Sequence, residues 1–133
     1  MVESKALELV SGASENLIFG KKVSEYFPGG YLEVDDDGLI KNIVEKPGAG
    51  REPSDLVNLV VHVHQDFGKL VEYLEKVKSD RDDRYEVALA NMMRDGVKFR
   101  AVAYDGLWLP IKFPWHVHAV FRYFFENAKK KIA

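Results

Sequence analysis

The spacing of apolar residues changes along the chain. Apolar and polar residues alternate over 56–64, which predicts a β-strand. Apolar residues recur every three or four positions over 66–78 and 84–94, which predicts two amphipathic helices. A further strand is predicted at 97–104, and hairpin signals dominate before residue 54. Strands and helices therefore alternate in the second part of the chain.

The strand predicted at 56–64 has one aliphatic face and one mostly polar face. The aliphatic face, which we expect to lie in the core, consists of Val57, Leu59, Val61 and Val63. The opposite face consists of Asn58, Val60, His62 and His64. Since residues two apart in a strand share a face, the polar side chains of this strand are expected to line up.

Residues 29–47 (GGYLEVDDDGLIKNIVEKP) predict a β-hairpin. Residues 31–34 and 39–44 are suited to strands, and the acidic turn between them ends at Gly38, which tolerates a left-handed backbone.

The end of this hairpin carries a charged pair, Glu45 and Lys46, directly before Pro47. Pro47 restricts the backbone, so the strand end can present both charges to the hydroxyl and phosphate groups of a ligand. The pair can also be a solvated strand end, and the stretch taken alone favours that interpretation.

The whole pattern predicts an α/β fold in which a mixed β-sheet is flanked by helices and includes the hairpin. A helix at 3–11 and a strand at 16–23 precede the hairpin. After an Asp-Gly turn we expect a short strand at 107–111, and Pro114 is suited to begin a final helix. All 133 residues are expected to form a single domain.

Composition narrows the classes of function. The 133 residues carry a formal net charge of −2, with 47% hydrophobic and 30% charged residues. No general basic surface is therefore expected that would bind nucleic acid. No apolar stretch approaches the length of a membrane span, and the chain lacks cysteine. We therefore expect a cytoplasmic protein without membrane contact.

Two His-Val-His triplets are candidate metal ligands. In a strand His62 and His64 share a face, whereas the same spacing at a helix start separates His116 and His118. No Asp or Glu at suitable spacing completes either pair. No metal site is therefore predicted, and polar or half-buried histidines are the expected arrangement.

Seven features of the chain occur in an order that matches a known family. They are Gly30 before a strand, Gly38 in an acidic loop, the VEKP segment 44–47, Asn58 near a strand start, Tyr85-Glu86 opening a helix, an Asp105-Gly106 turn followed by Trp108, and Pro114-Trp115 at a helix start. In this order the chain resembles the second half of the sugar-phosphate nucleotidyltransferases, or NDP-sugar pyrophosphorylases. The resemblance covers nearly the whole chain and implies the C-terminal half of their Rossmann-like domain.

In enzymes of that family a sugar 1-phosphate attacks the α-phosphorus of a nucleoside triphosphate and releases pyrophosphate with the help of Mg²⁺, and their second half holds the sugar phosphate. The resemblance implies that Gly30 offers its backbone to the sugar and that Glu45 accepts hydrogen bonds from sugar hydroxyls. It also implies that Lys46 faces the phosphate, and that Asn58 and Glu86 bond the sugar.

The chain departs from the family pattern at the groups that carry the reaction. It lacks the G-x-G-T-R signature of the nucleotide-binding half, and Pro110 stands where the motif W-x-D-x-G-T has its metal-binding Asp. Val60 stands where the family has a Gly after the Asn of the strand. No catalytic residue is therefore assigned, Mg²⁺ is not expected to bind here, and the chain alone is not expected to catalyse nucleotidyl transfer.

Three functions remain compatible with these residues: the sugar-phosphate part of a split or partial nucleotidyltransferase, a non-catalytic binding or regulatory relative, and an assembly module. Four aromatic residues cover most of the circumference of the last helix, namely Phe121, Tyr123, Phe124 and Phe125. A sheet without its nucleotide-binding half would also expose an unpaired edge. The expected partners are a sugar 1-phosphate and either a second copy or a chain that supplies the other half.

Overall fold

The computed structural model describes residues 5–80 and 83–132. Within these residues the chain forms five strands: β1 Asn16–Lys22, β2 Gly30–Val34, β3 Ile40–Glu45, β4 Leu56–Val63 and β5 Phe99–Ala103. It also forms four helices: α1 Lys5–Val10, α2 Phe67–Lys76, α3 Arg84–Arg94 and α4 Pro114–Ile132. Leu9–Asp105 make up one compact unit, and residues 106–132 fall in a second.

The strands form a mixed sheet in the order β3-β2-β4-β1-β5. β1 and β5 run parallel, whereas the other neighbouring strands are antiparallel. The predicted α/β class with a mixed sheet and a hairpin is therefore confirmed. The short strand predicted at 107–111 is wrong, since no named strand includes these described residues. Pro110 lacks the backbone N–H that a ladder requires there.

The main core lies between the sheet and the helices α2 and α3. It is a cluster of buried apolar side chains: Ile18, Leu32, Ile40, Ile43, Leu56, Leu70, Leu89, Met92 and Phe99. On β4, Val57 and Leu59 are buried as predicted, whereas Val61 and Val63 are only half-buried. The residue of β4 that belongs to this cluster is Leu56, on the face opposite the predicted core face, so apolar residues are buried on both sides of the strand.

β4 contains a bulge opposite β1. Ile18 pairs with His62 and Gly20 pairs with Asn58, so five residues of β4 lie opposite three residues of β1. Val60, at the centre of the bulge, has a φ of 58° and is 75% exposed. The prediction that Val60 shares a face with Asn58 and His62 is therefore wrong, because the bulge interrupts the alternation of the strand.

The predicted hairpin connects β2 to β3 through an acidic turn. The Asp35 carboxylate accepts a hydrogen bond from the Leu39 N–H at 2.8 Å and forms an ion pair with Lys41 at 2.7 Å. Gly38 has a φ of 79°, the left-handed conformation for which glycine is suited. These contacts fix the turn that brings β3 back along β2.

The tip of this hairpin lies against the outer edge of β5. The Ala101 N–H donates to the Gly38 carbonyl at 3.0 Å, and Arg100 Nη1 donates to the Asp37 carbonyl at 2.8 Å. Arg100 Nε also donates to the Glu15 carboxylate at 2.8 Å. The edge of β5 is thus partly paired, whereas the sequence led us to expect an open edge.

The second unit contains α4. Phe113 and Trp115 stack at the start of this helix, with ring centroids 4.6 Å apart. Along the helix, Phe121, Phe124 and Phe125 are each more than half exposed. None of the helices in the described residues is long and apolar enough to cross a lipid bilayer.

We expect Val60→Gly to raise the free energy of unfolding by about 1 kcal/mol, because glycine adopts the left-handed conformation without strain. The Val60 side chain is exposed and contributes little burial. The control is Val63→Gly in the same strand, which removes a half-buried side chain and relieves no strain, and it should lower the stability. Urea unfolding measures both; a V60G protein less stable than the parent would contradict the strain at Val60.

Candidate functional site

Three of the five predicted site residues meet where β2, β3 and β4 lie side by side. Gly30 pairs with Glu45 across the β2–β3 ladder. A Cβ placed on Gly30 would lie 3.1 Å from Glu45 Oε2 and 3.8 Å from the Cβ of Asn58. Gly30 is buried, and a Cβ there would also lie 3.3 Å from Ile43 Cγ2, so the absence of a side chain is what lets Glu45 approach β2 this closely.

Lys46 extends this cluster by one residue beyond β3. Its backbone has a φ of 46°, and its N–H donates to the Gly29 carbonyl at 3.1 Å. Its ammonium group lies 3.5 Å from Glu45 Oε1, with both side chains well exposed. Exposed ion pairs of this kind contribute little stability, so a ligand can separate the two charges at low cost.

Glu86, the fifth predicted site residue, lies in the first turn of α3. No hydrogen bond or ion pair in the described part of the chain joins its carboxylate to the other four. The connection from α3 to the cluster is made instead by the preceding residue, Tyr85.

A line of hydrogen bonds runs from Asn58 to the interface between the sheet and α3. Asn58 Oδ1 accepts from the Val60 N–H at 2.8 Å and lies 2.9 Å from His62 Nε2. His62 Nδ1 lies 2.5 Å from the Tyr85 hydroxyl, which lies 2.9 Å from His64 Nε2. We call Asn58, His62, Tyr85 and His64 the polar relay.

The backbone fixes the direction of each hydrogen bond in the polar relay. The Val60 N–H can only donate, so the Asn58 atom that it meets is the carbonyl oxygen, and His62 donates to the same oxygen from Nε2. His62 Nδ1 is then an acceptor for the Tyr85 hydroxyl, whose oxygen accepts from His64 Nε2. The buried His64 Nδ1 is left as a lone pair, with no partner among the described residues. Asn58 Nδ2 takes no part in these hydrogen bonds.

Burial favours the neutral form of each titratable group in the relay. It lowers the pKa of His62 from 6.5 to about 4, with a smaller contribution from His64. It also lowers the pKa of His64. Burial, together with the adjacent Glu86 carboxylate, raises the pKa of Tyr85 to about 12. At pH 7 the relay therefore holds no charge.

These residues do not fit a divalent metal ion. Both ring nitrogens of His62 and the Nε2 atom of His64 are engaged within the relay. Over residues 5–80 and 83–132, no three His, Asp or Glu side chains are placed to hold an ion together. Pro110 offers no ligand where the family motif has a carboxylate. Mg²⁺, which the resemblance implies, therefore has no matching set of donors in the described residues.

A cavity of about 290 Å³ lies beside Tyr31, whose side chain points to the face of β2 opposite Gly30. Its lining includes three carboxylates, those of Glu25, Glu52 and Asp55. Carboxylates repel a phosphate group, so this cavity is a poor match for a sugar phosphate. We therefore place the candidate site at Gly30 and its neighbours.

No protein-family model matches the chain. In sequence the chain is 30% identical over 114 residues to a bifunctional sugar-1-phosphate nucleotidylyltransferase/acetyltransferase of Sulfurisphaera tokodaii, and this alignment covers 85% of the chain and 27% of that protein. In fold it is similar to UTP-bound UGPase from Acinetobacter baumannii, with a TM-score of 0.68 and 22% identity over 97% of the chain and 48% of that structure. It is also similar to UDP-glucose pyrophosphorylase complexed with UDP-glucose, with a TM-score of 0.72 and 18% identity over 92% of the chain and 48% of that structure.

The chain thus spans about a quarter of the curated relative and about half of each of these two structures. Its fold is that of the nucleotidyltransferase structures, and its sequence match is to a sugar-1-phosphate nucleotidylyltransferase. The predicted resemblance to this family is therefore confirmed, and the match is to part of such a protein.

The sequence indicates the cluster but not the relay behind it. It places His62 and His64 on one strand face, as the structure does, yet it does not show that Tyr85 joins them. The usable signal is that Asn58 and His62 lie four residues apart in one strand, beside a Tyr at the start of a helix that packs on that strand's face. Hydrogen-bonding side chains on one face of a packed interface are expected to find one another.

We expect the free energy of unfolding to fall as the pH is lowered from 6.5 to about 4, because unfolded His62 takes up a proton in this range and folded His62 does not. The His62 contribution is roughly 3 kcal/mol, fully present above pH 6.5 and lost below pH 4. His62→Gln should therefore flatten the pH dependence, whereas His118→Gln, at an exposed histidine, should leave it unchanged. Urea unfolding at a series of pH values measures the difference, and parallel curves for H62Q and the parent would contradict the burial of neutral His62.

Proposed function

We propose that the cluster of Gly30, Glu45, Lys46 and Asn58 binds a sugar 1-phosphate. The observation that carries this proposal is the convergence of a carboxylate, an amide-bearing side chain and a cation at Gly30, where the lack of a Cβ allows their close approach. A sugar phosphate offers the complementary groups, since its hydroxyls donate and accept and its phosphate is an anion.

Each residue has a separate role in this proposal. Glu45 accepts hydrogen bonds from sugar hydroxyls, and Asn58 donates to a sugar oxygen from Nδ2. Lys46 turns from Glu45 to the phosphate, where a charge-assisted contact is stronger than the exposed ion pair that it replaces. Glu86 is proposed as a further acceptor for a hydroxyl, on the side of α3.

The relative from Sulfurisphaera tokodaii is named for a reaction of sugar 1-phosphates, and the similar structures include one with UDP-glucose. We propose that this chain supplies the sugar-phosphate-binding part of a related nucleotidyltransferase, with the nucleotide bound by another part or another chain. The alternative is a binding or regulatory module without turnover, which Pro110 and the poor fit to Mg²⁺ favour. An assay of pyrophosphate release with several triphosphates and Mg²⁺, run with a separate nucleotide-binding half added to the chain, separates the two, because only the split-enzyme form predicts turnover there. Turnover by this chain alone would contradict both forms of the proposal.

We expect the chain to bind glucose 1-phosphate, mannose 1-phosphate or N-acetylglucosamine 1-phosphate in calorimetry, and Lys46→Ala to weaken that binding at least about tenfold, because a charged hydrogen bond to the phosphate is lost. The matched control is Lys69→Ala, which removes the same charge from an exposed position on α2. Equal affinity in K46A and the parent would show that Lys46 does not hold the phosphate.

A separate proposal concerns assembly. The exposed side chains of Phe121, Phe124 and Phe125 lie along one helix, and a group of exposed aromatic residues is typical of a contact surface. We propose that α4 associates with a second copy of the chain, with a different partner chain as the alternative occupant.

We expect sedimentation velocity to show a species larger than the 15.2 kDa chain. Replacing Phe121 and Phe125 by Ser should shift this species to the monomer, because the apolar area that drives association is lost. The control is Phe67→Ser, at an exposed Phe of α2, which should leave the association unchanged. A strictly monomeric parent chain at high concentration would contradict self-association and leave the partner chain as the alternative to test.

A further inference from the structure

The polar relay lies behind the cluster that we propose for the ligand, and the proposed contacts use only one of its four members. We propose that His62 and Tyr85 are positioning residues, which hold the Asn58 amide in the orientation that presents Nδ2 to the ligand. This inference rests on the proposed sugar 1-phosphate site.

An asparagine amide needs such a lock, because rotation by 180° about its last bond exchanges a donor for an acceptor with almost no change in shape. If Asn58 were rotated, its Nδ2 group would face the Val60 N–H, which is itself a donor. His62 could still bond the rotated amide, but only after its proton moved from Nε2 to Nδ1. The orientation of Asn58 and the tautomer of His62 are therefore coupled.

Tyr85 carries this coupling to the other end of the relay. If the His62 proton moved to Nδ1, the Tyr85 oxygen would accept a hydrogen bond from Nδ1. The Tyr85 hydroxyl would then have to donate its own hydrogen bond to His64 Nε2. His64 would then carry its proton on Nδ1, which is buried without a partner among the described residues. A buried donor without an acceptor is costly. The Val60 N–H at one end of the polar relay and the buried His64 Nδ1 at the other thus favour the same donor–acceptor direction for all of its hydrogen bonds.

An Asn58 amide held in one orientation determines which side of the site donates hydrogen bonds and which side accepts them. Glu45 can only accept when ionised, and in the locked orientation Asn58 has only a donor left to offer, so the two side chains that approach Gly30 differ in their hydrogen-bonding role. A sugar must therefore place a hydroxyl hydrogen toward Glu45 and an oxygen lone pair toward Asn58. This arrangement restricts the ligand to one orientation.

The first test is the affinity for glucose 1-phosphate, or for whichever of the three sugar 1-phosphates binds the parent chain best. Tyr85→Phe removes the hydroxyl that holds the His62 ring against Asn58, and we expect at least about fivefold weaker binding. Tyr73→Phe is the matched control, since Tyr73 also donates a hydrogen bond, to Asp95 Oδ2 at 2.7 Å, but lies outside the relay. Its affinity should stay within about twofold of the parent.

The second test measures the tautomer of His62 in the polar relay directly. Nitrogen-15 NMR of the imidazole rings at pH 7.5 should show His62 with its proton on Nε2 in the parent chain, and a mixture with the Nδ1 tautomer in Y85F, where the ring is no longer held between Asn58 and Tyr85. A merely structural tyrosine would leave the His62 tautomer unchanged. His62→Gln keeps a donor near the position of Nε2 and should retain most of the affinity, whereas His62→Met lacks a donor and should bind as weakly as Y85F.

The outcomes separate this inference from the proposed function. If the parent binds and K46A does not, but Y85F and H62M bind like the parent, the positioning role is overturned and the sugar 1-phosphate site stands. If the parent binds none of the three sugar 1-phosphates, the site and the inference built on it are both overturned. If Y85F does not fold, the comparison of H62Q with H62M decides, and equal affinities in those two variants would overturn the inference.

Discussion

The side-chain carbonyl of Asn58 makes the hydrogen bonds on which the bulge of β4 and the polar relay both depend. It accepts the Val60 N–H, which supports the bulge of β4, and it meets His62, where the polar relay toward α3 begins. β4 lies between β2 and β1 in the sheet, so the same atom sits beside both the strand that carries Gly30 and the strand that pairs with β5. A single acceptor therefore joins strand geometry, helix packing and the candidate site.

The fold and much of the cluster follow from local signals that act over short distances. The alternation in 56–64, the helical spacing of 66–78 and 84–94 and the Asp-Gly turn at Gly38 each specify an element without reference to the rest of the chain. The ordered resemblance then placed Gly30, Glu45 and Asn58 in one site, and the structure brings them together. Their roles toward a ligand remain predictions.

The features that sequence reasoning missed are those that depend on distant parts of the chain. The pattern of one strand does not show how many residues of the neighbouring strand lie opposite it. The bulge that exposes Val60 is therefore visible only in the register of β4 with β1. The tautomers of His62 and His64 depend on Tyr85, which reaches them from α3. The pairing of the hairpin tip with β5 likewise joins residues more than sixty positions apart, for which no local signal exists.

That pairing has a consequence for how the sheet opens. In an ordinary open sheet the two outermost strands fray independently, since each is held from one side only. Here the turn that begins β3 is hydrogen-bonded to β5, the strand at the opposite end of the order. The first and last strands therefore close the sheet on itself at this point, and detaching either one breaks the contact for both. Glu45, at the far end of β3, thus belongs to a strand that is anchored from two directions.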